Sequence, residues 1–157
     1  MKKLLFLILF TGVISAASAQ QQEGDFQIQA QATYFSAAGT SGGFLYLNAS
    51  KFLTQNIELG VSPIISFGDG ASVNLSLFGN YNFLTSDAKF VPYAGVQILI
   101  YNLGGKESLT GFGLKGGLRY FITERVNVDV GPNVTFLAGT TVFIFNAGLG
   151  FIIGRKG

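Results

Sequence analysis

Four charged residues stand on the polar side of apolar, alternating stretches in this 157-residue chain. They are two acids, Glu58 and Asp129, and two bases, Lys115 and Arg119. A pair of carboxylates could supply the general acid and general base of an enzyme. Alternatively, two acids and two bases neutralise one another where water is scarce, because an unpaired buried charge is costly. Since all four stand on the polar side of their stretches, we favour the neutralising set.

The composition excludes several other kinds of catalysis. The chain contains no histidine and no cysteine. Zinc sites of the usual kind, thiol catalysis and Ser-His or Cys-His nucleophile pairs are therefore excluded. We expect no catalytic residue, no cofactor and no metal site.

The first 19 residues have the three-part pattern of a secretory signal peptide. Lys2 and Lys3 precede a short apolar run over 4–14, and Ala17-Ser18-Ala19 provides small residues for cleavage. An uncleaved anchor is the alternative, but the run is shorter than the roughly 20 residues of a spanning helix. We predict a signal peptide over 1–19 and one domain over 20–157.

The net charge of +2 depends on this leader. Without Lys2 and Lys3, the chain has eight basic and eight acidic residues. No basic arm or aromatic-basic segment remains, so nucleic-acid binding is not expected.

The remaining sequence is apolar at every second position, which is typical of β-strands. Hydrophobic residues make up 48% of the chain and charged residues only 11%, against about 25% charged in a typical soluble domain. Eight alternating stretches of about ten to twelve residues are predicted as strands, a length that suits a membrane better than a soluble sandwich. They cover 25–35, 44–53, 57–67, 72–83, 90–101, 112–121, 126–136 and 142–153.

The seven connections fall into two sets. Three begin with Phe, an aliphatic residue and Thr, at 52–54, 83–85 and 121–123. The other four are glycine-rich, at 36–43, 68–70, 102–108 and 138–141. Three of one kind and four of the other fit an up-and-down eight-stranded barrel whose termini share one side. We expect the Phe of each short turn to lie in an aromatic girdle at the membrane interface.

Periodicity alone does not say which face of the barrel points outward. In a water-soluble barrel such as a lipocalin, the apolar face points inward. Here the polar face carries Asn, Gln, Ser and Gly but few charges, whereas a soluble surface is about 25–35% charged. We therefore predict an apolar outer face and an interior filled by side chains, among them Phe35, Phe78 and Phe121.

Two charged positions allow more detailed predictions. A three-residue turn over 123–125 would place Arg119 opposite Asp129 across a hairpin. Lys51 is the exception to the pattern, because it shares the apolar face and would have to snorkel to the interface.

The sequence resembles the small eight-stranded outer-membrane barrels, the OmpA/OmpX-type transmembrane domain and its porin-like relatives. The Phe-Val-Pro-Tyr-Ala-Gly stretch at 90–95 and the Gly-Gly-Leu-Arg-Tyr-Phe stretch at 116–121 carry the resemblance, together with the leader and the alternating strands. A barrel-insertion signal of the form polar-x-Gly-x-x-aromatic-x-apolar is matched near the end, before four further residues. Its positions are Asn146, Gly148, Phe151 and Ile153.

The resemblance implies an all-β, eight-stranded antiparallel transmembrane barrel in the outer membrane of a Gram-negative envelope. Outer-membrane lipid and the barrel-assembly machinery are the expected partners, and a monomer is the expected state. A structural or interaction role without catalysis is the main hypothesis. A narrow channel for small or apolar solutes is the alternative, followed by a lipid-modifying enzyme.

Overall fold

A computed structural model describes residues 21–37, 40–68, 71–87, 89–103 and 105–154. These residues form eight β-strands and no helix. The strands are β1 Phe26–Ala37, β2 Thr40–Phe52, β3 Ile57–Phe67, β4 Ser72–Asn82, β5 Phe90–Tyr101, β6 Leu109–Phe121, β7 Val126–Leu137 and β8 Thr140–Ile153.

The strands form one closed antiparallel barrel in chain order. Each strand pairs with the next, and β1 closes the barrel by pairing with β8 from Phe26 opposite Ile153 to Ala32 opposite Ala147. Closure leaves no free sheet edge, so the backbone hydrogen bonds of the wall are satisfied within the wall. The predicted eight-stranded antiparallel barrel is confirmed.

The strands are longer than predicted at the glycine-rich end. The connection predicted at 36–43 is wrong, because β1 continues to Ala37 and β2 begins at Thr40. Glycines within it are paired in the ladder, with Gly42 opposite Phe35 and Gly43 opposite Tyr34. Similarly, β6 begins at Leu109 rather than Phe112. Local composition suggested loops there, but the facing strand supplies the hydrogen bonds that keep these residues extended.

The alternation separates an apolar outside from a polar inside. In β3, for example, Leu59 and Val61 are exposed while Glu58 and Ser62 are buried. Many large hydrophobic residues on the outer surface are exposed, up to 71% for Tyr34. The apolar-out orientation predicted from the scarcity of charge is the one observed.

Glycines on the inner face make room for long side chains from the neighbouring strands. A Cβ on Gly60 would lie 2.4 Å from the Phe78 ring, and one on Gly113 would lie 2.7 Å from Nε2 of Gln97. An eight-stranded barrel has an interior just wide enough for side chains. Pairing a glycine with a large residue across the ladder therefore lets that large residue lie flat along the inner wall.

Two sequence predictions fall outside what the structure describes. They are the signal peptide over 1–19 and the inward orientation of the Phe35 side chain. Within the described part of the chain, no helix is long and apolar enough to cross a membrane.

Candidate functional site

The barrel lumen holds a buried ion triad of Arg119, Glu58 and Asp129. Nη2 of Arg119 lies 3.2 Å from Oε2 of Glu58, and its Nε lies 3.4 Å from Oδ2 of Asp129. All three side chains are at most 2% exposed. Arg119 and Asp129 are direct partners in the β6–β7 ladder, as the sequence predicts. Glu58 reaches the same guanidinium from β3, across the lumen.

Neutral groups complete the coordination of the two carboxylates. Ser50 and Asn80 donate hydrogen bonds to Glu58, at 2.5 Å and 3.1 Å. The hydroxyl of Tyr93 and the amide of Gln31 donate to Oδ1 of Asp129, at 2.7 Å and 3.0 Å. Charged groups are tolerated in a dry interior only when geometry and hydrogen bonds offset their lost hydration. Glu58 and Oδ1 of Asp129 meet that condition with neutral donors from four strands, whereas Oδ2 of Asp129 and Nε of Arg119 rely on their ion pair alone.

Two aromatic rings and one amide hold the guanidinium itself. Its carbon lies 5.3 Å from the ring centre of Tyr93 and 5.7 Å from that of Phe52. Nη1 donates to Oδ1 of Asn82 at 3.3 Å. The cation is therefore held between ring faces in addition to its carboxylate partners.

Lys115, the fourth member of the predicted set, makes no ion pair with this triad. The two ion pairs among the described residues both use Arg119. Nζ of Lys115 instead lies 4.0 Å from the ring centre of Phe78, which also points inward. The structure thus brings together three of the four predicted charges and places the fourth against an aromatic face.

A network of lumen amides was not identified residue by residue from the sequence. Asn48 donates to Gln29 and Gln31 at 3.0 Å and 3.1 Å. Farther along, Gln97 donates to Asn133 at 2.6 Å. The sequence does show an Asn- and Gln-rich polar face on the strands. Which of these side chains form hydrogen bonds with one another depends on the strand register.

Apolar clusters lie on both sides of the polar layers. One consists of Phe52, Val91, Phe121 and Ile152, each at most 4% exposed. The other contains Tyr46, Ile64 and Leu99, with Phe44 and Tyr101 packed against it. We call these the lower and upper apolar clusters; the lower one lies at the end where β1 begins and β8 finishes.

The lower cluster corrects the predicted aromatic girdle. Phe52 and Phe121 are 0% and 1% exposed and point inward, whereas Phe83 is 50% exposed. Phe52 continues the inward alternation of Asn48 and Ser50 to the end of its strand, and Phe83 continues the outward one of Tyr81. The interface prediction is therefore wrong for Phe52 and Phe121, and the inward orientation predicted for Phe78 and Phe121 is observed.

Solved structures share this architecture. The N-terminal β-barrel domain of OprF from Pseudomonas aeruginosa matches with a TM-score of 0.72 at 20% identity, over 85% of this chain and 100% of that one. Neisserial surface protein A matches at 0.64 and 19%, over 82% and 99%. Outer membrane protein Ail of Yersinia pestis matches at 0.56 and 14%, over 83% and 100%. No family model and no curated protein sequence matches the chain.

The chain has the fold of the small eight-stranded outer-membrane barrels. In this fold the exposed apolar wall faces lipid and the polar residues line the lumen. That orientation accounts for the low charge of the outer surface and for the pairing of Arg119 with two carboxylates inside. The lumen and the lipid-facing wall are therefore the two surfaces that can bind another molecule.

The residues of the predicted insertion signal lie on the closing strand of this outer-membrane barrel fold. Phe151 and Ile153 point outward and are 52% and 53% exposed. Asn146 points inward and accepts a hydrogen bond from the Thr33 hydroxyl of β1. Gly148 lies beneath Gln31, where a Cβ would meet backbone. The signal therefore combines two lipid-facing side chains with two that fit the β1–β8 seam.

Among the described residues, no group of three or more His, Cys, Asp or Glu side chains is placed to hold a metal ion.

Proposed function

We propose that this chain is an integral protein of the bacterial outer membrane with a structural or interaction role, a lumen closed by its own side chains and no catalytic activity. One observation carries the proposal: the lumen contains a buried, charge-paired ion triad between two apolar clusters, inside a wall whose outer face is apolar. Lipid surrounds the barrel, the assembly machinery inserts it, and it works as a monomer.

The coordination of the two carboxylates supports the absence of catalysis. Glu58 and Asp129 are both committed to Arg119, and each also accepts hydrogen bonds from neutral donors. An acid or base in a reaction must reach the proton it transfers in a substrate. Here both carboxylates are at most 1% exposed, so their oxygens are held away from any substrate.

Heat-modifiable migration on SDS gels tests the outer-membrane barrel. We expect the protein to fractionate with outer membranes and to migrate differently before and after boiling, because a closed barrel resists SDS until heated. Unchanged mobility together with recovery in the water-soluble fraction would contradict the proposal.

A narrow channel is the second candidate, and one observation favours it. The side-chain amides of Gln27 and Asn127 are buried at the lower end of the lumen without a hydrogen-bond partner. Buried polar groups of this kind are usually satisfied by ordered water. Water could therefore enter the lumen beside Gly150, where both amides converge.

We expect no conductance steps from the purified protein in planar bilayers at moderate voltage. Open aqueous pores are found in barrels of about 16 strands, and the lower cluster blocks this lumen next to the two amides. Replacing Phe121 by alanine serves as the positive control, since it removes one of the two phenylalanine rings in that cluster. Resolved steps in the wild type would favour the channel over the closed barrel.

The insertion signal is tested by two substitutions on the same strand face. Phe151→Ser should slow assembly in cells and leave more protein unfolded in the periplasm, because it removes the aromatic of the signal. Phe143→Ser is the matched control: Phe143 also lies on β8, is 68% exposed and stands outside the signal. Pulse-labelling with the gel-shift assay measures both, and equal delays would assign the effect to lost apolar surface alone.

A further inference from the structure

Lys51 is the exception on the lipid-facing wall. Of the charged residues within strands, it alone points outward, while Glu58, Lys115, Arg119 and Asp129 point into the lumen. Neither ion pair of the described residues includes it. Its Nζ lies 5.3 Å from the ring centre of Phe26, its partner on β1. A lysine ammonium that faces lipid is costly unless a negative group or water lies close to it.

An apolar groove leads away from Lys51 along the wall. It has a volume of about 580 Å³ and is lined by residues of β1, β2, β3 and the end of β8. Its apolar walls are supplied by Phe26, Ile28, Leu59, Val61 and Ile153, with Ala49 between them.

The groove continues past Ala49 toward the middle of the barrel. A second hollow of about 490 Å³ shares Ile28, Ala49 and Val61 with the first and extends to Ala30 and Leu47. The surface is lowest at the two alanines, because their side chains are short while their neighbours project. The result is an elongated apolar groove. One positive charge, Lys51, lies at the end nearest the turn after β2.

From this arrangement we infer that the groove binds an anionic phospholipid, with an acyl chain over Ala49 and the phosphate on Lys51. The inference rests on the proposed membrane location. The length and apolar lining of the groove fit a hydrocarbon chain, and the single unpaired cation selects for a negative headgroup. Lys51 is the last residue but one of β2, next to the turn over 53–56, so its long side chain can snorkel to headgroup depth.

Charge selection distinguishes this site from ordinary lipid contact. A basic residue near an anionic surface favours anionic lipid by about fivefold, an effect that salt weakens. A lipid with no net charge would fill the groove equally well but would leave the ammonium without a counter-charge. Phosphatidylglycerol should therefore be enriched at this position over phosphatidylcholine.

Native mass spectrometry of protein released from nanodiscs containing both lipids tests the inference. Wild-type protein should retain phosphatidylglycerol preferentially, and Lys51→Gln should lower that preference about fivefold. Lys51→Arg should keep it, because the positive charge is kept. Lys89→Gln is the matched control, as it removes one exposed lysine from a turn at the same end of the barrel. Equal losses in the two glutamine variants would overturn a specific site.

A second pair of variants tests the groove separately from the charge. Ala49→Leu should fill the groove and reduce lipid retention severalfold with Lys51 intact, whereas Ala94→Leu, on the outward face of β5, should not. Retention unaffected by Ala49→Leu would overturn the acyl-chain position. Each variant is also run on heat-modifiable gels. A normal shift with no lipid preference refutes the site alone, whereas loss of the shift in the wild type refutes the membrane barrel as well.

Discussion

Replacing Arg119 by alanine should lower the free energy of unfolding by about 3–5 kcal/mol. The substitution leaves Glu58 and Asp129 facing one another across a lumen in which both are at most 1% exposed. Two uncompensated charges cannot recover their lost hydration there. Because the chain has no tryptophan, urea unfolding in lipid vesicles is followed by the folded fraction on unheated SDS gels.

The same measurement gives a double-mutant cycle for Arg119 and Asp129. Removing both side chains should cost less than the sum of the single alanine changes, since the second loss removes a charge that the first had left unpaired. Lys115→Ala is the control, because that lysine contacts the Phe78 ring and belongs to neither ion pair. Strict additivity in the cycle would mean that the 3.4 Å approach contributes no coupling energy.

Replacing Gly131 by alanine should destabilise the barrel by about 3 kcal/mol, the upper part of the range for overpacking. A Cβ at this position would lie 2.0 Å from the carbonyl oxygen of Gly116 and 2.5 Å from Cα of Gly117. Both are backbone atoms of β6, so no side-chain rotation can relieve the collision. The strands β6 and β7 would have to separate at this point.

Gly116 offers a matched control on the facing strand. A Cβ there would approach only the Tyr93 carbonyl oxygen, at 3.4 Å, which is an ordinary contact distance. Gly116→Ala should therefore be neutral or slightly stabilising, because alanine loses less conformational freedom on folding than glycine. Equal destabilisation by both changes would mean that β6 and β7 tolerate no added methyl group at either glycine, and that the backbone contact at Gly131 is not the cause.

Strand positions and facing directions could be predicted from the sequence because both depend on a local period of two. The same period would also have placed Phe52 correctly, since it continues the inward series of Ser50. The prediction failed there because the short-turn motif was given more weight than the alternation. The loop predicted at 36–43 was wrong for a different reason, since the pairing that extends β1 and β2 through it depends on the facing strand.

Local sequence patterns are least able to predict which charged residues form ion pairs. Arg119 and Asp129 share a hairpin, so a turn length was sufficient to place them opposite one another. Glu58 and Arg119 are 61 residues apart on strands that are not neighbours, and they meet only across the lumen. Lys115 shares the face of Arg119 but contacts Phe78 instead of a carboxylate.

The amino-acid sequence by itself determined that this chain makes eight amphipathic strands with an apolar outside and a polar inside. Periodicity and the scarcity of charge carry that information locally, along each strand. Only the tertiary structure decided which charges meet, which aromatic residues close the lumen and where a groove opens beside Lys51. Those contacts depend on the closure of the barrel and on the register between strands, which bring together residues that no short stretch of sequence contains.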